Sequence, residues 1–164
     1  MDELIQALKY AMKSEIDSVT IYSEAALRAE GDVADFFTSR AEEEKRHYNW
    51  LLRYYKELQD SRMPTTNLAA EIQAIQYKNP MFSQDFLTRV ASDRHVSAAV
   101  SSAVLLELNA THHYRKMADL AQEPHLKAFF LSLSEWENRH YEELLKIQED
   151  SRHYWFEEQN FEPF

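Results

Sequence analysis

Two copies of the pattern Glu-x-x-His, Glu44/His47 and Glu137/His140, stand 93 residues apart in this chain of 164 residues, which holds only seven histidines. On a helix, a spacing of three puts both side chains on one face. One ion is then within reach of a carboxylate oxygen and an imidazole nitrogen together, and the second carboxylate oxygen can bridge to another ion. Two more glutamates, Glu15 and Glu107, are each followed seven residues later by a tyrosine, Tyr22 and Tyr114, two helical turns along the same face. In a chain of this composition, chance alone produces about one Glu-x-x-His. Two at equivalent places of a repeat, each paired with a Glu-x6-Tyr helix, form a constellation.

The elements that must position these residues are long helices. Leu4, Leu8, Ala11, Val19, Tyr22 and Ala26 recur at the spacing of one helix face, which predicts helix A over 2–30, ended by the sole glycine, Gly31. Asp32 is the expected cap of helix B, 33–60, with the stripe Val33, Phe37, Leu51, Tyr54 and Leu58. Residues 61–92 read as a long crossover carrying one short helix around LAAEIQAIQ. Helix C, 93–122, is expected after a Ser92 cap, and helix D, 124–150, opens on Pro124; an aromatic tail, 151–164, follows. Two short links and one long B–C crossover describe an all-α four-helix bundle of ferritin-like connectivity, in a single domain of 1–164.

Helix B repeats in helix D. At an offset of 93, ten of the 17 positions from 36 to 52 are identical, among them Phe37/Phe130, Glu44/Glu137, His47/His140 and Leu51/Leu144. Helices A and C match at an offset of 92 through Ala11/Ala103, Glu15/Glu107 and Tyr22/Tyr114. The bundle is therefore a helical hairpin used twice. Within it, Glu15, Glu44, His47, Glu107, Glu137 and His140 all fall mid-helix on the apolar stripes, where a solvated charge has no place. Four unpaired carboxylates in a bundle core would each cost several kcal/mol. Four glutamates against two divalent ions sum to zero charge, and two neutral imidazoles complete the shell, so the pattern points to a pair of metal ions, with a buried polar network without metal as the alternative.

Composition narrows the rest. One glycine disfavours hairpin-rich folds and the glycine loops that cradle phosphates, while the absence of cysteine removes disulfides, zinc–thiolate and iron–sulfur sites and thiol nucleophiles. Any metal is held by oxygen and imidazole. A net charge of −10, with no basic run, argues against nucleic acid and anionic membranes. With no signal-like start and no long apolar segment, the expectation is a cytoplasmic protein.

The set E15-x6-Y22, E44-x-x-H47, E107-x6-Y114 and E137-x-x-H140 resembles the rubrerythrin-like branch of the ferritin-like di-iron carboxylate proteins, over about residues 4 to 150. The resemblance implies two iron ions, with manganese or zinc as alternatives that the same ligands admit. It implies that Glu44 and Glu137 bridge them, that Glu15 with His47 completes one shell and Glu107 with His140 the other, and that Tyr22 and Tyr114 hydrogen-bond carboxylates of the facing helices. It further implies a homodimer acting on hydrogen peroxide or oxygen in oxidative-stress defence. Without cysteines for a rubredoxin module, the electrons are expected from a separate rubredoxin-type donor. Helix C also lacks the additional glutamate of rubrerythrins, since Leu106, Asn109, Ala110 and Thr111 occupy the neighbouring positions. That leaves a six-ligand set closer to bacterioferritin, and a ferroxidase or iron-handling role stands beside the peroxidase reading. A metal-stabilised bundle without activity and a di-iron oxygenase are further alternatives.

The remaining aromatic and imidazole groups have ordinary expectations. His112 and His113 lie off the Glu107 face and are expected at the surface or an interface, His95 and His125 in solvent, and Tyr48 and Tyr141 in packing. The tail aromatics, Tyr154 to Phe164, are expected to dock on the bundle or on a second subunit.

Overall fold

Helix α1 (Asp2–Arg28) buries Leu8, Ala11, Glu15, Ser18, Tyr22 and Ala25, a single face at steps of three and four. Helix α2 (Gly31–Gln59) buries Phe37, Glu44, His47, Leu51, Tyr54 and Leu58 in the same rhythm. Helices α5 (Arg94–Leu120) and α6 (Pro124–His153) repeat the arrangement with Val100, Ala103, Glu107 and Tyr114, and with Phe130, Leu133, Glu137, His140 and Leu144. Between the pairs lie α3 (Leu68–Gln73) and α4 (Gln84–Ser92). This computed structural model describes residues 2–60, 68–73, 75 and 81–153, and among them every regular element is a helix.

The core has two apolar ends and a polar middle. One cluster joins the start of α1 (Leu8, Ala11), the end of α2 (Leu51, Tyr54), the end of α5 (Tyr114, Met117) and the start of α6 (Phe129, Phe130, Leu133). The other joins the opposite ends: Tyr22 and Ala25, Val33 and Phe37, Val96 and Val100, Leu144 and Ile147. Each hairpin is thus antiparallel, whereas α2 and α5 run parallel. A 29-residue α2 is about 40 Å long, so the crossover must carry the chain back along the whole bundle. Helix α3 packs on α6 with Leu68 and Ile72 in the first cluster, and α4 sets Phe86, Leu87 and Val90 into the second, which makes that return. The all-α bundle of two repeated hairpins is the architecture expected from the sequence.

Local punctuation differs from the expected one. The crossover holds a second helix, α4, whose cap is Ser83, its hydroxyl accepting from Phe86 N at 3.1 Å. Helix α5 is capped by Asp93 rather than Ser92: its carboxylate accepts from His95 N at 2.8 Å and Val96 N at 3.2 Å, while the Ser92 hydroxyl turns back to Arg89 O. Asp32 lies inside the first turn of α2 and caps nothing; it pairs with Arg89 of α4 at 2.5 Å. Gly31 does not end α1, which closes at Arg28, but opens α2 at φ +59°, a conformation that penalises any side chain. A Cβ there would also stand 2.9 Å from Arg89 Nη1, the group that donates to Glu30 O at 3.2 Å. Helix α6 runs to His153, three residues beyond its expected end. The aromatic residues from 154 onward, expected to dock on the bundle or a second subunit, lie outside the described residues.

Candidate metal centre

The six residues singled out by their spacing converge between the two apolar clusters. Glu15 comes from α1, Glu44 and His47 from α2, Glu107 from α5, and Glu137 and His140 from α6, and each is at most 2 % exposed. Their ligand atoms form two overlapping groups, Glu15/Glu44/His47/Glu137 and Glu44/Glu107/Glu137/His140, each with all its atoms within 4.8 Å of one another. Glu44 and Glu137 belong to both groups. His47 Nδ1 lies 2.8 Å from Glu137, 3.3 Å from Glu44 and 3.8 Å from Glu15. His140 Nδ1 lies 3.1 Å from Glu44, 3.2 Å from Glu137 and 3.9 Å from Glu107. The two imidazole rings face each other at 6.1 Å.

Tyr22 and Tyr114 tie the hairpins together crosswise. The Tyr22 hydroxyl on α1 donates to Glu107 on α5, and the Tyr114 hydroxyl on α5 donates to Glu15 on α1. Burial, then the neighbouring glutamate, pushes both phenols well above their ordinary range, so both remain proton donors.

The electrostatics describe a cluster holding protons in place of ions. Burial, reinforced by neighbouring carboxylates, raises Glu15 and Glu137 well above the carboxylate range, and Glu107 reaches about 7. For Glu44, burial works upward but the facing imidazoles win, and its pKa falls well below the usual value. Burial opposes charge on His47, yet Glu137 and Glu44 lift it to about 9; His140 also reaches about 9, through Glu43 and Glu44 against burial and Arg40. Even so, Glu44 Oε1, both Glu137 oxygens and both histidine Nδ1 atoms are buried without a hydrogen bond of acceptable geometry. Five orphaned donor atoms converging on one another are costly without a cation. Oxygen and imidazole donors suit iron, manganese or zinc, so the residues present fit a pair of such ions.

Sequence reasoning missed three charged residues beside the cluster. Arg40, 6 % exposed, donates to Glu43 through one guanidinium nitrogen and to Glu143 on α6 through another. Glu43 in turn accepts from His140 Nε2 at 3.0 Å. The available signal was a failure of the repeat: at an offset of 93, Arg40, Glu43 and Glu143 face Leu133, Trp136 and Trp50. Of the histidines set aside, His95, His112 and His125 are exposed, and His113 is half-buried with Nε2 3.0 Å from Ala7 O and its ring 4.7 Å from that of Tyr10. Tyr48 and Tyr141 are half-buried, and Tyr141 packs against the second apolar cluster.

Residues 6–148 match the rubrerythrin family model. The chain belongs to the rubrerythrin family. The matched span includes all six clustered residues, both tyrosines and the Arg40 group, and the family typically holds two iron ions, with which the buried carboxylate–imidazole cluster is compatible. Neither the curated proteins nor the solved structures contain a significant match to the chain. No described helix of this rubrerythrin domain is long and apolar enough to cross a membrane.

Proposed function

We propose that the chain is a di-iron redox protein that reduces hydrogen peroxide or oxygen in oxidative-stress defence. Its ligands are Glu15, Glu44, His47, Glu107, Glu137 and His140. The observation that carries this reading is the buried cluster of orphaned oxygen and nitrogen atoms at the centre of the bundle. Bound iron would supply reversible one-electron chemistry that the side chains lack. The protein's part is geometric and electrostatic. Glu44 and Glu137, common to both groups, would serve both ions, while Glu15 with His47 and Glu107 with His140 would complete the two ends. Tyr22 and Tyr114 fix the rotamers of the end carboxylates from the facing helices, and the apolar clusters above and below limit water. In this proposal electrons come from a rubredoxin-type donor; the 164 residues themselves contain no cysteine to ligate a rubredoxin iron. The working form in this proposal is a cytoplasmic homodimer.

Iron-loaded protein mixed with peroxide tests the reading. Its visible absorbance should shift within seconds and return when a one-electron reductant is added; an unchanged spectrum sinks the peroxidase assignment. A ferroxidase is the second reading, favoured by the single carboxylate that α5 offers, since Leu106, Asn109, Ala110 and Thr111 supply no further one. Excess Fe(II) with oxygen separates the two: steady catalytic oxidation of free Fe(II) favours the ferroxidase, and oxidation stopping at two equivalents favours the peroxidase. Size exclusion at dimer mass would support the assembly proposed here and argue against a storage shell.

A further inference from the structure

The six ligand-type residues repeat faithfully, but what surrounds the two histidines does not. On the far side of His140, Nε2 donates to Glu43 at 3.0 Å, and Arg40 holds both Glu43 and Glu143. These three side chains are 7, 17 and 10 % exposed and carry a formal charge of −1 between them. At the equivalent positions around His47 the chain places Leu133, Trp136 and Trp50, which carry none. Trp50 stacks on the His47 ring at 5.5 Å, while Trp136 stands edge-on between the two histidines, 5.9 Å from the His47 ring and 6.4 Å from that of His140. Glu15, Glu44 and Glu137 approach His47 through Nδ1, and among the described residues no further carboxylate pairs with it.

A carboxylate behind a ligating histidine fixes its tautomer, points the other nitrogen's lone pair at the ion and raises its donor strength, effects whose loss costs 10–100-fold in metal affinity. Here Glu43 fixes the proton on His140 Nε2 and leaves Nδ1 facing Glu44 and Glu137. The indoles around His47 hold the ring in place by packing but add neither charge nor a carboxylate acceptor.

We infer that the two metal positions are inequivalent: the Glu44/Glu107/Glu137/His140 position binds tightly and fills first, and the Glu15/Glu44/His47/Glu137 position binds more weakly and exchanges more readily. Glu43 is the positioning residue that sets the difference, and Arg40 with Glu143 holds Glu43. The inference rests on the proposal that the cluster takes two divalent ions. It means that the exchangeable position is the one whose histidine is backed by Trp50.

Calorimetric titration of the metal-free full chain with zinc tests it. His47→Ala, which keeps the His140 position, should bind one zinc about 10–100-fold more tightly than His140→Ala, which keeps the other. Glu43→Gln should weaken the first of two steps in the otherwise unaltered protein by about the same factor and leave the second in place. Equal affinities in the two histidine variants, or a Glu43→Gln change that weakens both steps alike, would overturn the inequivalence. Should Glu43→Gln fail to fold, the histidine pair, in which Glu43 is intact, decides the question alone. The absence of any zinc binding to the folded wild-type chain would instead remove the two-ion proposal on which the inference stands.

Discussion

Hairpin α1–α2 and hairpin α5–α6 carry the same glutamates, histidine and tyrosine, and the structure lays them out with matching geometry. His47 Nδ1 and His140 Nδ1 lie 3.3 and 3.2 Å from the glutamate three residues before them, and each tyrosine reaches the glutamate of the opposite hairpin. One turn outward the match ends: Trp136 stands edge-on to both rings, but His140 rests on an ion-paired triad where His47 rests on the stacked Trp50. Even the first residues of α2 and α6 differ. Position 31 is a glycine at φ +59° and its equivalent, 124, is a proline, whose ring fixes a negative φ. Residues shared by both halves are constrained by each other, since Glu44 and Glu137 each serve both groups. Residues behind them answer only to their own hairpin and can diverge wherever charge remains paired.

The largest expected effect treats the halves alike. In the metal-free protein both histidines titrate at about 9, so near neutral pH each entering ion must displace at least one proton. Apparent zinc affinity should rise about tenfold between pH 7 and 8 and flatten as pH reaches about 9. The sign for stability is opposite. Both histidine pKa values are raised on folding, so their stabilisation of the metal-free fold is complete below about 6.5 and is lost as pH climbs through about 9. Glu107, held at about 7, resists ionisation in the same direction, while Glu43, depressed to about 2, contributes a constant term throughout this window. Thermal melts should show the metal-free Tm falling from pH 6 to 9 and the gap to the metal-loaded protein widening. A gap independent of pH would mean that metal does not replace these protons.

The divergent surroundings should separate the halves next. Arg40→Ala leaves Glu43 and Glu143 buried without their cation, an expected cost of about 3–5 kcal/mol in urea unfolding. Leu133→Ala, at the equivalent position, creates a cavity costing about 2–5 kcal/mol. The two differ in pH response: only the Arg40 variant should recover stability as pH falls and Glu143, which burial raises to about 7 even beside Arg40, takes up a proton. An Arg40→Ala cost below about 1 kcal/mol would show that the triad is solvated. Tyr22→Phe and Tyr114→Phe each remove one donor from a buried carboxylate, worth about 1–3 kcal/mol, and should cost the same within about 1 kcal/mol. Unequal costs would mean that the asymmetry reaches the tyrosines. Smallest is the contrast at the turns, read from unfolding midpoints: Gly31→Ala should cost about 1–2 kcal/mol through its positive φ, and Pro124→Ala no more than about 1 kcal/mol.

The bundle and the central residues were legible because a charge on an apolar stripe contradicts its own surroundings, and a repeat states the contradiction twice. Glu15, Glu44, Glu107 and Glu137 have that signature. Arg40 does not: an arginine followed three residues later by a glutamate reads as a solvated helix face, and its burial depends on Glu143, 103 residues away on α6. The mismatches at 40/133, 43/136 and 50/143 were visible, but differences in a repeat carry meaning only once their neighbours in space are known. Helix α4 was as legible as the nine-residue LAAEIQAIQ stretch, through its Ser83 cap and Phe86, Leu87 and Val90 at helical spacing, and was passed over; Ser92 and Asp93, adjacent and both good caps, differ only in which side chain meets the free N–H groups. Gly31 marked the right break, though as the first residue of one helix rather than the end of another.

The central claim is that four glutamates and two histidines on four helices hold a pair of ions. Elemental analysis of folded protein loaded with Fe(II) and freed of excess tests it most directly. Two ions per chain, falling to none in a folded Glu44→Ala/Glu137→Ala variant that has lost both shared carboxylates, is the result expected. A wild-type chain that retains no metal, or a variant that still holds two ions, would contradict it.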